Sequence, residues 1–387
     1  MTRLLGFALA VSVAGQPVAL RLSAEKPKYT AGEGVKLKLH VRAEVAGELE
    51  SVELNRAATR IHLRRAGAPA TVLTGADHIR LFPDKALAGV GSTFSVRAKQ
   101  EWDAELDLLQ YARPLTAGRY TVEVEYRGAR SGSATFEIVP AQLGDSRWRW
   151  FGGTELAGVY TANGKWFHTA RTKRDLSVVL FATELGAALP AAAAAPRLAY
   201  FPGTAGTRAE RIVVWAEQAK LCWLPVTGSG PVARPKCEET GLQGPIRLAE
   251  PALQTVEGEL RAVVFANGRV VEIRAGSTTG KRTLAERKGL RDVAVSWEPE
   301  PRLLLAEDSS FSEMQWSGEA KRLGAFTGAW VGFETEEWNG ASTVMAVTKT
   351  KKLRWRNDKP GLDTLPPNFQ LRQWRIEPST STGFTAR

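Results

Sequence analysis

Two cysteines, three methionines and four histidines are all that 387 residues contain of those types, and the shortage narrows the chemistry. Two cysteines and four scattered histidines give no ligand set at metal-site spacing, so no metal site is expected and no cofactor is implied. No apolar run approaches the roughly 20 residues that a membrane-spanning helix needs. No Gly-x-Ser-x-Gly elbow and no His-Glu-x-x-His helix occurs, which removes two common hydrolase signatures. Residues 275–281 have the length of a phosphate-binding loop, but Ala275 stands where its first glycine is required, so nucleotide binding is not expected. Tryptophan is scarce in one region only: of twelve, Trp102 alone precedes residue 148.

What is present describes a folded chain, with 43% hydrophobic and 24% charged residues. The net charge of +11 turns non-specific attraction toward anions: nucleic acid, acidic glycans or anionic headgroups. At the N-terminus, Thr2-Arg3 precedes an apolar run from Leu4 to Val13, and Ser12-Val13-Ala14 offers the small residues a signal peptidase reads. Residues 1–15 are therefore expected to be a signal peptide, cleaved near Ala14 or Gly15, and the protein to be exported and soluble. Cys222 and Cys237 agree with that compartment. They lie symmetrically about Gly228-Ser229-Gly230-Pro231, so a hairpin centred there sets them opposite each other, close enough for a disulfide.

The strongest internal signal is a repeated phrase. Ile212-Val213-Val214-Trp215-Ala216 returns as Ala262-Val263-Val264-Phe265-Ala266, Leu303-Leu304-Leu305-Ala306 and Thr343-Val344-Met345-Ala346. The copies stand about 40–50 residues apart, the period of propeller blades. A weaker copy, Trp166-Phe167-His168-Thr169-Ala170, lies upstream. One full period parses as four strands: from Ile246, from Leu260 to Ala266, from Arg269 to Arg274, and from Lys281 to Glu286. Asn267-Gly268 supplies a two-residue hairpin turn between the second and third. The next period places strands from Val293, Arg302, Phe311 and Ala320, and another from Ala329, Thr343 and Lys352, ending with residues 371–376. Recurrent tryptophans suit the gaps between blades. Five blades fit residues 141–387 best, with a sixth built from Trp148-Arg149-Trp150-Phe151 and the C-terminal strand as the alternative. Residues 190–196 are an alanine-rich loop bounded by proline.

Residues 16–140 alternate apolar and polar with period two: Val18-Ala19-Leu20-Arg21-Leu22, Val35 to Val41, Arg60-Ile61-His62-Leu63-Arg64, His78-Ile79-Arg80-Leu81, Thr93-Phe94-Ser95-Val96, Thr121 to Tyr126 and Ala134 to Val139. About seven short strands of this kind make a sandwich. Lys28-Tyr29-Thr30-Ala31-Gly32-Glu33 together with Gly118-Arg119-Tyr120 resembles bacterial immunoglobulin-like modules of extracytoplasmic proteins, over the first third of the chain. The resemblance implies a tyrosine corner at Tyr120, its hydroxyl bonded to the backbone, and a spacer or adhesion role. The later repeats resemble exported propellers of the sialidase-repeat type. The stretch Ser277-Thr278-Thr279-Gly280-Lys281-Arg282-Thr283 lacks the aspartate of their Asp-box turns, so the resemblance implies the propeller and not the chemistry. The fold class expected is all-β: an immunoglobulin-like sandwich over 16–140, then a propeller.

Two sets of residues are candidates for function. Glu257, Glu298, Glu300, Glu334, Glu336 and Glu337, with Glu259, fall between the first and second strands of successive repeats and would share one rim, where a glycan hydrolase would need converging carboxylates. A calcium site is a lesser use of the same oxygens. Arg171, Lys173 and Arg174 in the first repeat and Lys349, Lys351 and Lys352 in the last would lie between second and third strands. Ring closure would merge them into a basic patch, with Trp355 as a stacking face. The leading expectation is a non-catalytic extracytoplasmic binding or scaffold protein whose partner is a protein or an acidic glycan. The alternatives are a glycan-active hydrolase and, if the chain is not exported, a nucleic-acid binder.

Overall fold

A computed structural model describes residues 17–50, 59–83, 93–151, 155–172, 174–189, 194–201, 210–256, 259–275, 280–297, 301–325, 329–338, 341–348, 352–355, 362–364, 376–377 and 385–386. The expected signal peptide lies outside them. The chain divides into two compact units: Met1–Leu143 with Asp175–Thr183 and Ile376–Ala386, and Gly144–Arg174 with Glu184–Arg375.

The first unit pairs two sheets over one core. Val18–Ala24, Lys36–Ala43 and Glu101–Asp107 form a three-stranded antiparallel sheet, with Leu20 opposite Val41 and Leu39 opposite Ala104. The other sheet runs Lys28–Thr30, Ala134–Val139, Gly118–Tyr126, Thr59–Arg65, Ala70–Leu73. Period-two sequence becomes period-two burial: along Lys36–Ala43 every second side chain is enclosed. Leu37, Leu39 and Val41 from one sheet share a core with Ile61, Val122, Val124 and Phe136 from the other. Each such side chain contributes about 1.5–3 kcal/mol relative to exposure. The Tyr120 hydroxyl donates to the Thr116 carbonyl at 2.9 Å, the bond expected of it, and its ring stacks on Phe136.

One expected strand is a helix. Residues 78–81 belong to the α-helix Gly75–Leu81. Thr74 and Asp77 close a capping box over its first turn, and His78 is enclosed against Phe82 and Tyr111. The period-two pattern over four residues was too short to outweigh that start signal. Residues 175–183 join this unit through the Gly34 amide on the Ala182 carbonyl, Gln110 on the Leu180 carbonyl, and packing of Leu109 with Val179 and Ala182.

The second unit is a succession of antiparallel meanders. The third and fourth follow the repeat parsing closely: Arg247–Val256, Glu259–Ala266, Arg269–Ala275, Gly280–Glu286, then Leu290–Ser296, Arg302–Glu307, Ser310–Gln315, Ala320–Ala325. Their first strands meet at one parallel bridge, Glu250 with Ala294. Asn267 and Gly268 turn the hairpin, both at positive φ. A second meander begins with Ala194–Phe201, so the alanine-rich stretch already enters a strand by residue 194. The last runs Trp330–Trp338, Ala341–Thr348, Lys352–Trp355 and Leu362–Thr364; the last of these stands where residues 371–376 were expected.

The first meander corrects the parsing by one strand. Within this unit its order is residues 144–151, Glu155–Ala162, Lys165–Thr172. Residues 166–170 are thus in the third strand, and the second is Glu155–Ala162. Leu156-Ala157-Gly158-Val159-Tyr160 lacks the bulky aliphatic run of the other copies, whereas the third strand carries the large apolar pair Trp166-Phe167. Consecutive meanders pack through apolar faces: Val214 with Val264, Val263 with Leu303, and Leu304 with Val344 share successive clusters.

Candidate functional site

Of the expected basic patch, the described side chains are those of Arg171, Arg174 and Trp355. Arg171 is the penultimate residue of the third strand of its sheet, Lys165–Thr172, and is 2% exposed, so it is no exposed turn residue. Burial pushes its guanidinium down to about 10, with Tyr160 opposing. Arg171 lies near the far end of a third strand, Lys165–Thr172, whereas Lys352 opens a third strand, Lys352–Trp355; within their own sheets these are opposite ends. Arg174 is exposed, while Lys173, Lys349 and Lys351 lie outside the described residues, as does the side chain of Lys352. Trp355 has no exposed surface, so it offers no open stacking face. Its ring instead lies under Arg302, 5.6 Å from the guanidinium carbon.

The acidic set fares differently. Glu257, Glu298 and Glu300 lie outside the described residues. Glu334, Glu336 and Glu337 lie within the strand Trp330–Trp338, opposite Met345, Thr343 and Ser342, rather than on a turn. Cys222 and Cys237 face each other in register and are disulfide-bonded, with Cα atoms 4.0 Å apart.

The site that does assemble joins the third and fourth meanders. Glu272 stands fourth in its strand, Arg269–Ala275, between Val271 and Ile273, and is fully enclosed. Burial alone would raise its pKa. Hydrogen bonds from Arg274 and Arg261, with a weaker one from the Trp316 indole, hold it below the ordinary carboxylate range. Arg261 reaches it at 2.6 Å and Arg274 at 3.2 Å. Arg261 also lies over the Trp297 ring at 5.5 Å, and Trp297 and Trp316 sit 5.6 Å apart at 49°. Exposed Arg282 donates to the Trp316 carbonyl at 3.0 Å. Two guanidinium groups and the Trp316 indole thus hold one carboxylate, with Trp297 packed on Arg261 and Trp316 and Arg282 bonded to the Trp316 backbone, leaving an excess of two positive charges in this group. Arg274 keeps 43% of its side chain in solvent.

A tighter version follows one repeat later. Glu313, also fourth in its strand, pairs with Arg302, which covers Trp355. In the first meander the fourth position is His168, fully buried, its Nδ1 3.2 Å from the Thr227 carbonyl of the next sheet. Burial pushes it down to about 4. Asp292 ties three first strands together: it accepts from Val293 N–H, from Phe333 N–H at 3.2 Å and from Arg247 at 3.3 Å. Burial raises its pKa against those contacts. Each of these groups is one polar residue in a strand that carries others, Arg171 with His168, Arg274 with Glu272, Arg291 with Asp292 and Ser312 with Glu313, so the local pattern does not single it out. Glu272, Glu313 and His168 share one signal, the fourth position of a third strand; Asp292, third in a first strand, does not.

No protein-family model matches the chain, and no curated protein matches it. Among solved structures, it is similar to a luciferin-regenerating enzyme at 14% identity, over 56% of this chain and 74% of that one, with a TM-score of 0.35. A likeness of that size carries no argument. The fold rests on the strands themselves, which make the chain predominantly β.

Proposed function

We propose that this is a non-catalytic extracytoplasmic binding or scaffold protein: an immunoglobulin-like sandwich followed by a five-bladed propeller that presents an anionic ligand site. The observation that carries the reading is the Arg261–Arg274–Arg282 group around Trp297 and Trp316. Guanidinium forks bind carboxylate or sulfate in a bidentate way, and indole faces take the apolar side of a sugar ring. An acidic glycan has both features. The blade count is supported by the five meanders and by the way successive ones pack on each other. Non-catalysis is supported by the buried carboxylates: Glu272, Asp292 and Glu313 are each engaged by arginine, so none is poised as an acid or base.

A glycan array probed with the full chain tests the reading. Binding to uronate- or sulfate-bearing glycans, weakened by Arg274→Gln with Arg282→Gln, is expected; release of reducing ends from a bound glycan would favour the hydrolase instead. Export is checked by sequencing the mature N-terminus, expected at Gly15 or Gln16.

A further inference from the structure

The second meander places three metal-capable side chains on one face of three adjacent strands. Glu217 ends Glu210–Glu217, Cys222 lies on Lys220–Thr227, and Cys237 on Lys236–Glu239. The register puts Trp215 opposite Cys222 and Cys222 opposite Cys237, so Glu217, two residues beyond Trp215, shares their face. Glu217 Oε2 stands 3.8 Å from Cys222 Sγ, and the ligand atoms of all three residues lie within 4.8 Å of one another. No spacing in the sequence announces this, because the third ligand is a carboxylate brought in by strand pairing. In the structure the two sulfurs are joined.

We propose that, once the disulfide is reduced, Cys222, Cys237 and Glu217 form a binding site for one thiophilic divalent cation of the zinc class. Two thiolates and a carboxylate suit that ion, and a water would complete four-coordination. The chemistry balances with a dithiol reductant. Thiol–disulfide exchange breaks the Cys222–Cys237 bond, leaves two thiols and converts the dithiol to its own disulfide. The cation then displaces two protons, one from each thiol, while Glu217 supplies a carboxylate oxygen. Cys222 is fully buried while Cys237 and Glu217 are exposed, so Cys237 is the sulfur that moves to ligand distance, and the cation reaches the site from the solvent side. Lys220, on the same face, is held by Glu239 at 3.2 Å, which keeps its charge engaged beside the site. Disulfide and metal are therefore mutually exclusive states of one pair.

Cobalt(II) and cadmium(II) report the site directly, through thiolate-to-metal absorbance. The full chain is reduced with a dithiol, freed of it without oxygen, and titrated with each ion, with zinc(II) as competitor. One ion per chain is expected in the reduced protein and none in the oxidised one, with two protons released per ion. Glu217→Gln leaves the disulfide intact for folding; after reduction it should bind at least about tenfold more weakly. Cys237→Ser should lose the absorbance, with circular dichroism as the control for folding. Equal uptake by oxidised and reduced protein would overturn the proposal, as would Glu217→Gln binding as tightly as the unaltered chain.

Discussion

At the scale of single residues, the buried titratable groups of the second unit decide how it responds to acid. His168 has a folded pKa near 4, below its ordinary value of about 6.5, because burial disfavours the imidazolium. Between those values the unfolded chain binds the extra proton, so stability is whole above about pH 6.5 and falls as pH drops toward 4. The full effect is about 3 kcal/mol. Urea denaturation across that range should show the slope, and His168→Asn should flatten it. An unchanged slope in the variant would remove His168 as its source. Glu272 acts lower. Its folded pKa is depressed, so its contribution is present above the unfolded carboxylate value and is lost as pH falls through the folded one. Glu272→Ala leaves Arg261 and Arg274 beside an apolar hole. It should cost about 3–5 kcal/mol at neutral pH by the same denaturation measurement.

At the scale of elements, hairpins and one cross-link set the register of the meanders. Gly268 has φ of +82°, and a Cβ there would stand 2.4 Å from the Arg287 carbonyl oxygen. Gly268→Ala should therefore destabilise by more than about 1 kcal/mol, read from the thermal midpoint. The Cys222–Cys237 bond spans 15 residues, so Cys222→Ser with Cys237→Ser should cost about 3 kcal/mol relative to the oxidised chain. A double variant as stable as the oxidised protein would show that strand pairing alone fixes this hairpin. Elements were also where the sequence was most legible. The Asn267-Gly268 turn, the third and fourth meanders and the cysteine pairing all follow from local patterns: alternation, turn chemistry and symmetry about a loop. Local patterns failed where a competing signal was stronger or the strand was weak. Thr74 with Asp77 made a helix of residues 75–81, and Gly158 diluted the second strand of the first meander so that its neighbour was read in its place. That one-strand slip carried Arg171 from an exposed turn into the core.

At the scale of the whole molecule, function depends on which side chains several meanders bring together, and period-two patterns do not encode that. The cluster of Arg261, Glu272, Arg274, Arg282, Trp297 and Trp316 draws on residues up to 55 apart, from two repeats. Each is ordinary alone: an arginine at a strand end, a tryptophan beyond one, a glutamate inside one. The predominantly β character was therefore readable and the site was not. The central claim is that this cluster holds an anionic saccharide without cleaving it. Calorimetric titration of the full chain with an oligogalacturonate, at low and high salt, tests it most directly. The account expects saturable binding that weakens with salt, falls roughly tenfold or more in Arg274→Gln with Arg282→Gln, and leaves the oligosaccharide intact. Binding that ignores both salt and those two arginines, or none at all, would contradict it.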